Sequence, residues 1–482
     1  MNSLINLFSQ WNEAGVRYCH WKGNLNIHKG FEGTSDLDIL VCLEDKTMAE
    51  NIMKKVGLIE FRTQYTSQIP NVFDWLYFNA NTGIISHIHL HYKMIAGKAG
   101  VMEYDLPFIN VAFHNRVYND KYSIYTINPA VELILLYTRI GLDPTAKILK
   151  KTKHGYVLSE KRVKELEFLR QIVDEEYVDS LLNEYYGCYA AKVRVIFEKG
   201  NLCTDDISFL RSTCPIVFKP NRRYNFFKTN YIYFKKNTVA NFIKLFRKKT
   251  SGWIITKKTP INGYGLVIAF LGQDGSGKST VTEDIEKWLT WKIDAKRFYM
   301  GSGDHWNPWQ KSALRLIPNI SLFKPLRGLI SLSQTMSLAN VKLNVIKKAH
   351  DYKNLGGIAL FDRFPQTVYK GINDGPRIRV KYMPMLGKGL LKPIVEWLAS
   401  REEKKLELAC NMPPQIVFKL MLSPEESMRR KPFEKYEEVK KKHEIVKQLE
   451  FPDSDVYTID ATQPYEEELL QIKRIIWQHI PK

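Results

Sequence analysis

The stretch GQDGSGKST, Gly272 to Thr280, sets Gly272, Gly277, Lys278 and Ser279 at the spacing G-x-x-x-x-G-K-[ST]. Glycines at these positions let backbone N–H groups turn inward on phosphate oxygens, and a helix starting there adds its partial positive charge. Gly275, Ser276 and Gly277 supply the turn of that cradle, Lys278 is expected to reach the β- and γ-phosphates, and Ser279, followed by Thr280, is expected to hold Mg²⁺. ATP and Mg²⁺ are the cofactors this spacing predicts. The context agrees, because an apolar run enters the loop and the amphipathic TVTEDIEKWLTWK leaves it.

A second chemical pattern is GGIALFDRF, in which four apolar residues run into Asp362 and Arg363. A carboxylate at the end of a strand beside a phosphate loop can hold Mg²⁺, and a guanidinium next to it can grip a phosphate with its planar fork. A third is SPEESMRRKPFEKYEEVKKK. Ser423, Pro424 and Glu426 read as an N-cap, a first-turn proline and a capping box, and Pro432 stops the helix about two turns later. Arg429 and Arg430 crowd its end, which suits a cationic lid over a transferring phosphoryl group.

Near the N-terminus, Gly23 and Asn24 are followed by Asp36-Leu37-Asp38 in an apolar run. Strand alternation puts the two carboxylates on one face, about 7 Å apart along the strand, where they could share Mg²⁺ for phosphoryl or nucleotidyl transfer. That chemistry asks for a third carboxylate from a neighbouring strand. The strand expected to carry it, IISHIHLHYKM, presents His87, His89 and His91 instead, so His89 stands where an acid is expected and Asp74 is the fallback. Histidine ligates transition metals but replaces a carboxylate on Mg²⁺ poorly, and three histidines at alternate positions of one strand are too widely spaced to meet one zinc ion.

These residues need elements to place them. GLVIAFLG, KRFYMGSG, GIALFD, QIVFKLML and DVYTID are short apolar strands separated by helical sequence, the pattern of a doubly wound parallel α/β sheet over residues 263–482. Residues 1–128 read as a mixed α+β domain, with strands in VRYCHW, DLDILVCL, LIEFRTQ, NVFDWLYF and IISHIHLHYKM and a helix from Lys46 to Val56. Apolar spacing then changes to three and four. Residues 129–215 are expected to form a helical appendage, with Leu166, Leu169, Val173, Val178 and Leu182 on one helical stripe. Residues 216–262 are left as a basic, aromatic linker, and no repeat or low-complexity segment is evident.

The totals narrow the partners. The 482-residue chain carries a net charge of +20, with 44% hydrophobic and 12% aromatic residues. It contains no Asp or Glu from Ile207 to Gln273, whereas Lys219 to Lys258 holds twelve Lys and Arg. Within that segment Val239, Phe242, Ile243 and Phe246 form an apolar stripe beside Lys244, Arg247, Lys248 and Lys249. Such a segment suits an anionic membrane surface, nucleic acid, or docking on the flanking domains. Six scattered cysteines without a C-x-x-C pair imply reduced thiols rather than a disulfide framework or a cysteine zinc site. No secretory leader or membrane span is evident, so the expectation is a cytoplasmic protein, either soluble or peripheral at the inner face of the membrane, that could form homo-oligomers.

GQDGSGKST, FDRF, PEESMRRK and VYTIDATQPYEEELLQIKRIIW, in this order, resemble the thymidylate kinase family of P-loop nucleoside monophosphate kinases from about Gly265 to the C-terminus. The resemblance implies an ATP and Mg²⁺ site of Lys278, Ser279, Thr280 and Asp362. It also implies Arg363 on the acceptor phosphate, Asp274 facing the acceptor sugar and a lid arginine at Arg429 or Arg430. The acceptor side departs from the family: YMGSGDHWNP, Tyr299 to Pro308, stands where the family holds its monophosphate and base, and FPQTVYKGINDGPRI lacks the family's thymine-fixing signals. The N-terminal stretch with Gly23, Asn24, Asp36 and Asp38 resembles the nucleotidyltransferase fold, with Asn24 replacing the usual Gly or Ser. Together these imply a bifunctional enzyme, an ATP-dependent kinase fused to a nucleotidyltransferase-like domain. Its acceptor is expected to be a small phosphorylated or hydroxylated molecule, such as a sugar or polyol for surface polysaccharide, rather than dTMP. The alternatives are a true dTMP kinase and a nucleotide-binding or nucleic-acid-associated module without kinase activity.

Overall fold

A computed structural model of the chain describes residues 3–143, 148–153, 155–199, 202–249, 254–300, 324–433 and 435–482. It divides into two compact units, Met1–Phe246 and Arg247–Lys482.

In the first unit, strands β1 (Tyr18–His20), β2 (Asp36–Val41), β3 (Ile59–Arg62), β4 (Val72–Phe78), β5 (Ile85–His91), β6 (Val117–Asn119) and β7 (Ile124–Thr126) lie in the order β3-β4-β5-β2-β1-β7-β6. The alternation in β2 sends Leu37, Ile39 and Val41 into a core shared with Leu4, Leu7, Phe8 and Trp11 of α1 (Ser3–Glu13) and Ala49 and Met53 of α2 (Lys46–Val56). Asp36 and Asp38 therefore point to the opposite face. There β2 and β5 run parallel, with Asp36 opposite His87 and Asp38 opposite His89, and antiparallel β4 sets Asp74 opposite His89.

That second face is flanked by a helical core. Leu40 and Trp21 pack with α3 (Pro129–Leu142), α4 (Glu160–Ile172), α5 (Glu175–Tyr186), α6 (Ala190–Glu198) and α7 (Thr204–Val217). Asn128 caps α3, its side-chain oxygen accepting from the Ala130 N–H at 2.9 Å, so Pro129 falls at the first helical position where its missing N–H costs nothing. The stripe from Leu166 to Leu182 is carried by two helices, not one. Asp174 caps α5 by accepting from the Tyr177 N–H and turns the chain after Val173, while Leu166, Leu169, Val178 and Leu182 still reach one core. A hairpin of Leu149–Thr152 and Gly155–Leu158 interrupts the helical region, which spacing alone did not predict.

The basic segment contains a 24-residue helix, α8 (Phe226–Lys249). Its docked side faces the first unit: Lys236 Nζ donates to the carbonyls of Gln68 and Gly100, and Lys98 reaches Asn230 and the Tyr233 ring. Phe227, Tyr231, Phe234, Phe242 and Leu245 are exposed. The side chains of Phe246, Arg247, Lys248 and Lys249, expected in the apolar and basic stripe, lie outside the described residues.

The second unit is built on β8 (Leu266–Leu271), β9 (Ala295–Phe298), β10 (Ile358–Phe361), β11 (Ile416–Met421) and β12 (Asp455–Asp460), all parallel in the order β9-β10-β8-β11-β12. All five expected strands are present. Every residue of β8 and β10 is buried, which is why these strands read as unbroken apolar runs. Helices α9 (Lys278–Thr290), α10 (Lys324–Asn354), α11 (Lys392–Cys410), α12 (Pro424–Arg430), α13 (Tyr436–Gln448) and α14 (Tyr465–His479) are the longer helices described in this unit. Strand order reverses on either side of β8, so the crevice at its C-terminal end is where an open α/β sheet receives a ligand.

Candidate functional site

β8 delivers the chain into the loop at Gly272 and α9 takes it away. Gly275 and Gly277 both have φ of 85°, a region that strains any residue with a Cβ. Gly272 is required by contact instead, since a Cβ there would lie 2.4 Å from Ser276 Oγ and 2.8 Å from the Leu420 carbonyl. The loop is thus wound tightly around Ser276, with Ser279 and Thr280 exposed at the start of α9. Lys278 Nζ donates to the Gly272 and Gln273 carbonyls at 2.8 Å each. Burial, opposed by Asp274, pushes its pKa down to about 8.

Because β10 pairs with β8, with Ala269 opposite Phe361, Asp362 and Arg363 emerge beside the loop. They line a cavity of about 140 Å³ with Gly272, Asp274, Lys278, Asp374, Arg377 and Lys442. Burial raises the Asp362 carboxyl above its ordinary value, against the pull of Arg363 and Lys278, and among the described residues its buried Oδ1 has no hydrogen-bond partner. A buried, unpartnered carboxylate oxygen facing a phosphate loop fits a cation such as Mg²⁺, as Ser279 does at the helix start.

The rest of the cavity lining carries further charges. Asp274 is bonded to Lys442 of α13; burial works against its ionised form, but Lys442 outweighs this and holds it below its usual range. Asp374 accepts from the buried Lys342 at 2.7 Å, which likewise outweighs the cost of burial. The guanidinia of Arg363 and Arg377, by contrast, form no ion pair among the described residues, although the Arg377 backbone N–H donates to the Glu402 carboxylate at 3.0 Å. Asn373 and Asp374 both take positive φ, 45° and 63°. This strained turn is pinned by Gln366, whose amide donates to the Tyr369 and Ile372 carbonyls at 2.7 and 2.8 Å.

Helix α12 begins at the expected cap, with Ser423 Oγ accepting from the Glu426 N–H at 3.2 Å, but the Glu426 carboxylate pairs with Arg429 and Arg430 instead of completing a capping box. It is docked on the loop: Ser427 Oγ donates to the Asp274 carbonyl at 2.6 Å, and Arg430 reaches the carbonyls of Gly275 and Ala461 at 3.4 and 3.1 Å. Arg429 is 81% exposed and pairs with Glu426. The two arginines that spacing left equivalent are therefore distinguished, with Arg430 at the loop and Arg429 in solvent.

Sequence reasoning missed Lys342, Asp374, Arg377 and Lys442. Asn373-Asp374-Gly375 carried a turn signal that could have drawn attention to Asp374. Lys442 sits in the run VKKK, where spacing cannot separate a site residue from a solvated face. Of the substituted acceptor loop, residues 301–308 lie outside the described residues.

In the first unit, Asp36, Asp38, Asp74, His87, His89 and His91 converge. His87 is bonded on both ring nitrogens, to Asp36 at 2.6 Å and Asp74 at 2.9 Å. Asp38 Oδ1 lies 3.3 Å from His89 Nδ1, 3.2 Å from His91 Nε2 and 3.1 Å from Lys22 Nζ. Burial works against the Asp38 charge, yet Lys22, His89 and His91 together hold its pKa well below normal. Burial also opposes protonation of His89, which Asp38 and Asp74 nevertheless raise to about 9, whereas burial drives His91 down to about 4. The Gly23 and Asn24 N–H groups, a pair placed to bind an anion, already donate to Glu132 at 2.6 and 3.1 Å. Burial and the nearby Glu165 raise Glu132 to about 7.

No protein-family model matches the chain. It is 26% identical over 229 residues to the "Uncharacterized ATP-binding protein YghR" of Escherichia coli K12, covering 44% of this chain and 86% of that protein. It is 25% identical over 237 residues to the "Uncharacterized ATP-binding protein YghS" of the same strain, covering 46% of this chain and 95% of that protein. Among solved structures, deoxyadenosine kinase from M. mycoides with bound dATP is similar at 18% identity and a TM-score of 0.26, over 44% of this chain and 98% of the kinase. The same kinase with dCMP and dCDP bound gives 14% identity, a TM-score of 0.28 and the same coverage. These structural likenesses are too slight to carry an argument.

Proposed function

We propose that the second unit is an ATP-dependent phosphotransferase whose acceptor is a phosphorylated small molecule other than dTMP. The observation that carries this is the convergence of Lys278, Asp362, Arg363 and Arg430 on one glycine loop, with the guanidinia of Arg363 and Arg377, which form no ion pair among the described residues, beside it. The similarity to two proteins named as ATP-binding supports the donor half.

The loop N–H groups and the α9 N-terminus would bind the donor phosphates, with Lys278 exchanging its two carbonyl partners for phosphate oxygens. Ser279 and Asp362 would hold Mg²⁺, which supplies charge neutralisation for the β- and γ-phosphates when bound. Arg363 and Arg377 would meet an acceptor phosphate through bidentate hydrogen bonds. Arg430, fixed to the loop by the Gly275 carbonyl, would place a further cation near the transferring group. Asp274 and Asp374, held ionised by Lys442 and Lys342, would accept hydrogen bonds from the hydroxyls of a sugar or polyol phosphate.

An ATP-consumption screen over nucleoside monophosphates, sugar phosphates, and unphosphorylated sugars and polyols, with Lys278→Ala as the blank, tests this. Turnover of a phosphomonoester other than dTMP, abolished in Lys278→Ala, is the expected result. Robust turnover of dTMP, or ATP binding with no acceptor turned over, defeats it.

A further inference from the structure

We propose that the first unit holds a zinc-class divalent ion on Asp38, His89 and His91, with Asp74 orienting His89 through its second ring nitrogen. Three histidines on one strand cannot converge on one ion, but two from β5 and an acid from β2 can. His89 and His91 project from the same face, and Asp38 stands opposite His89 in the parallel register. Their ligand atoms all lie within 4.8 Å of one another.

The spacings suit a coordinated ion as well as they suit hydrogen bonds. Charge-assisted N–H···O bonds close to about 2.7–2.9 Å. His87 shows such closure at 2.6 and 2.9 Å, both of its nitrogens being committed to Asp36 and Asp74. Asp38 Oδ1 instead stays 3.3 Å from His89 Nδ1 and 3.2 Å from His91 Nε2. An ion with four tetrahedral bonds of about 2.0–2.1 Å separates its ligand atoms by about 3.3 Å. One cluster thus contains a hydrogen-bonded histidine and two whose spacing suits an ion between them and the carboxylate.

The outer contacts fit too. His89 Nε2 lies 3.3 Å from Asp74 Oδ1, the carboxylate–histidine–metal relation that fixes a ligand's orientation. Asp74 is buried and is itself held by the Thr63 hydroxyl. Two imidazoles and one carboxylate favour zinc over Mg²⁺ or Ca²⁺, which prefer all-oxygen shells. Three protein ligands leave a fourth corner open for water or a substrate atom. Lys22 Nζ, 3.1 Å from the same Asp38 oxygen, supplies a positive charge there and competes with the ion.

The 482-residue chain, stripped with chelator, resupplied with zinc and passed through gel filtration, is assayed for metal by mass spectrometry. The intact protein retains stoichiometric zinc, Asp38→Asn and His91→Ala lose it, and the exposed His114→Gln keeps it. Asp74→Asn weakens zinc affinity by about 10- to 100-fold, whereas Lys22→Met tightens it, which a purely structural cluster would not do. Retention of zinc by a folded His91→Ala, or failure of the intact chain to hold it, overturns the proposal. Should His91→Ala not fold, the cobalt-loaded wild type decides: intense four-coordinate visible absorption supports the site, and a weak six-coordinate spectrum rejects it.

Discussion

Lys278 shows how one side chain carries a pH dependence. Its ammonium is satisfied by two backbone carbonyls, yet burial lowers its pKa to about 8. Below about pH 7 the free protein holds this charge ready for a triphosphate, and a bound triphosphate keeps it protonated at higher pH. Raising the pH through 8 therefore costs the free protein its proton before binding, so affinity for ATP falls, approaching about tenfold per pH unit. Calorimetric titration with MgATP at about pH 7 and pH 9 measures the effect. Lys278→Arg is expected to give a flat profile, because a guanidinium does not titrate there; a flat wild-type profile contradicts the assignment of Lys278 to phosphate binding.

At the scale of an element, α14 carries a group whose ionisation opposes folding. Glu468 is buried on this helix, its Oε1 has no hydrogen-bond partner among the described residues, and burial, eased by Arg430, raises its pKa to about 7. A carboxyl whose pKa is raised on folding binds more protons in the native state. Its contribution is therefore most favourable below the ordinary value of 4.5 and is lost as pH rises through about 7. Glu468→Gln should stabilise the protein at pH 8 by about 1–2 kcal/mol after allowance for solvent screening. At about pH 4.5 it should have little effect. Thermal melts at the two pH values check this, and equal stabilisation at both would remove the electrostatic explanation. The β8 and β10 strands impose a different constraint, since a Cβ on Gly265 would lie 1.8 Å from the Gly357 carbonyl, so the entry to the sheet tolerates only glycine there.

For the whole molecule, twelve of the Lys and Arg behind the charge of +20 lie between Lys219 and Lys258. Helix α8 spends Lys236 on carbonyls of the first unit and leaves Phe227, Tyr231, Phe234, Phe242 and Leu245 exposed in a segment without acids. Among the described residues no helix is long and apolar enough to cross a membrane. Exposed aromatics among cations are the combination that adsorbs to anionic lipid. Flotation with phosphatidylserine vesicles is expected to capture the protein, with capture falling as salt rises and lost in the triple variant Phe227→Ser, Tyr231→Ser, Phe234→Ser. Equal capture by neutral vesicles, or capture undiminished in the triple variant, would refute an electrostatic membrane role for this helix.

The sequence by itself determined the elements whose signals are local. GQDGSGKST, the apolar runs of β8 and β10 and the Ser423 cap each depend on a few adjacent residues, and all lie in the structure where their spacing put them. The two-helix break at Asp174 was readable from its capping side chain, although the continuous apolar stripe concealed it. Tertiary structure alone decided which distant residues share a site. Arg430 rather than Arg429 meets the loop because Ser427 docks α12 against Asp274, and Lys442 enters the cavity from a charge run indistinguishable from a solvated face. Strand register set Asp38 against His89, and helix α3 brought Glu132 to the Gly23 and Asn24 N–H groups more than a hundred residues away. Such pairings depend on how sheets and helices pack, which the periodicity of one segment does not encode.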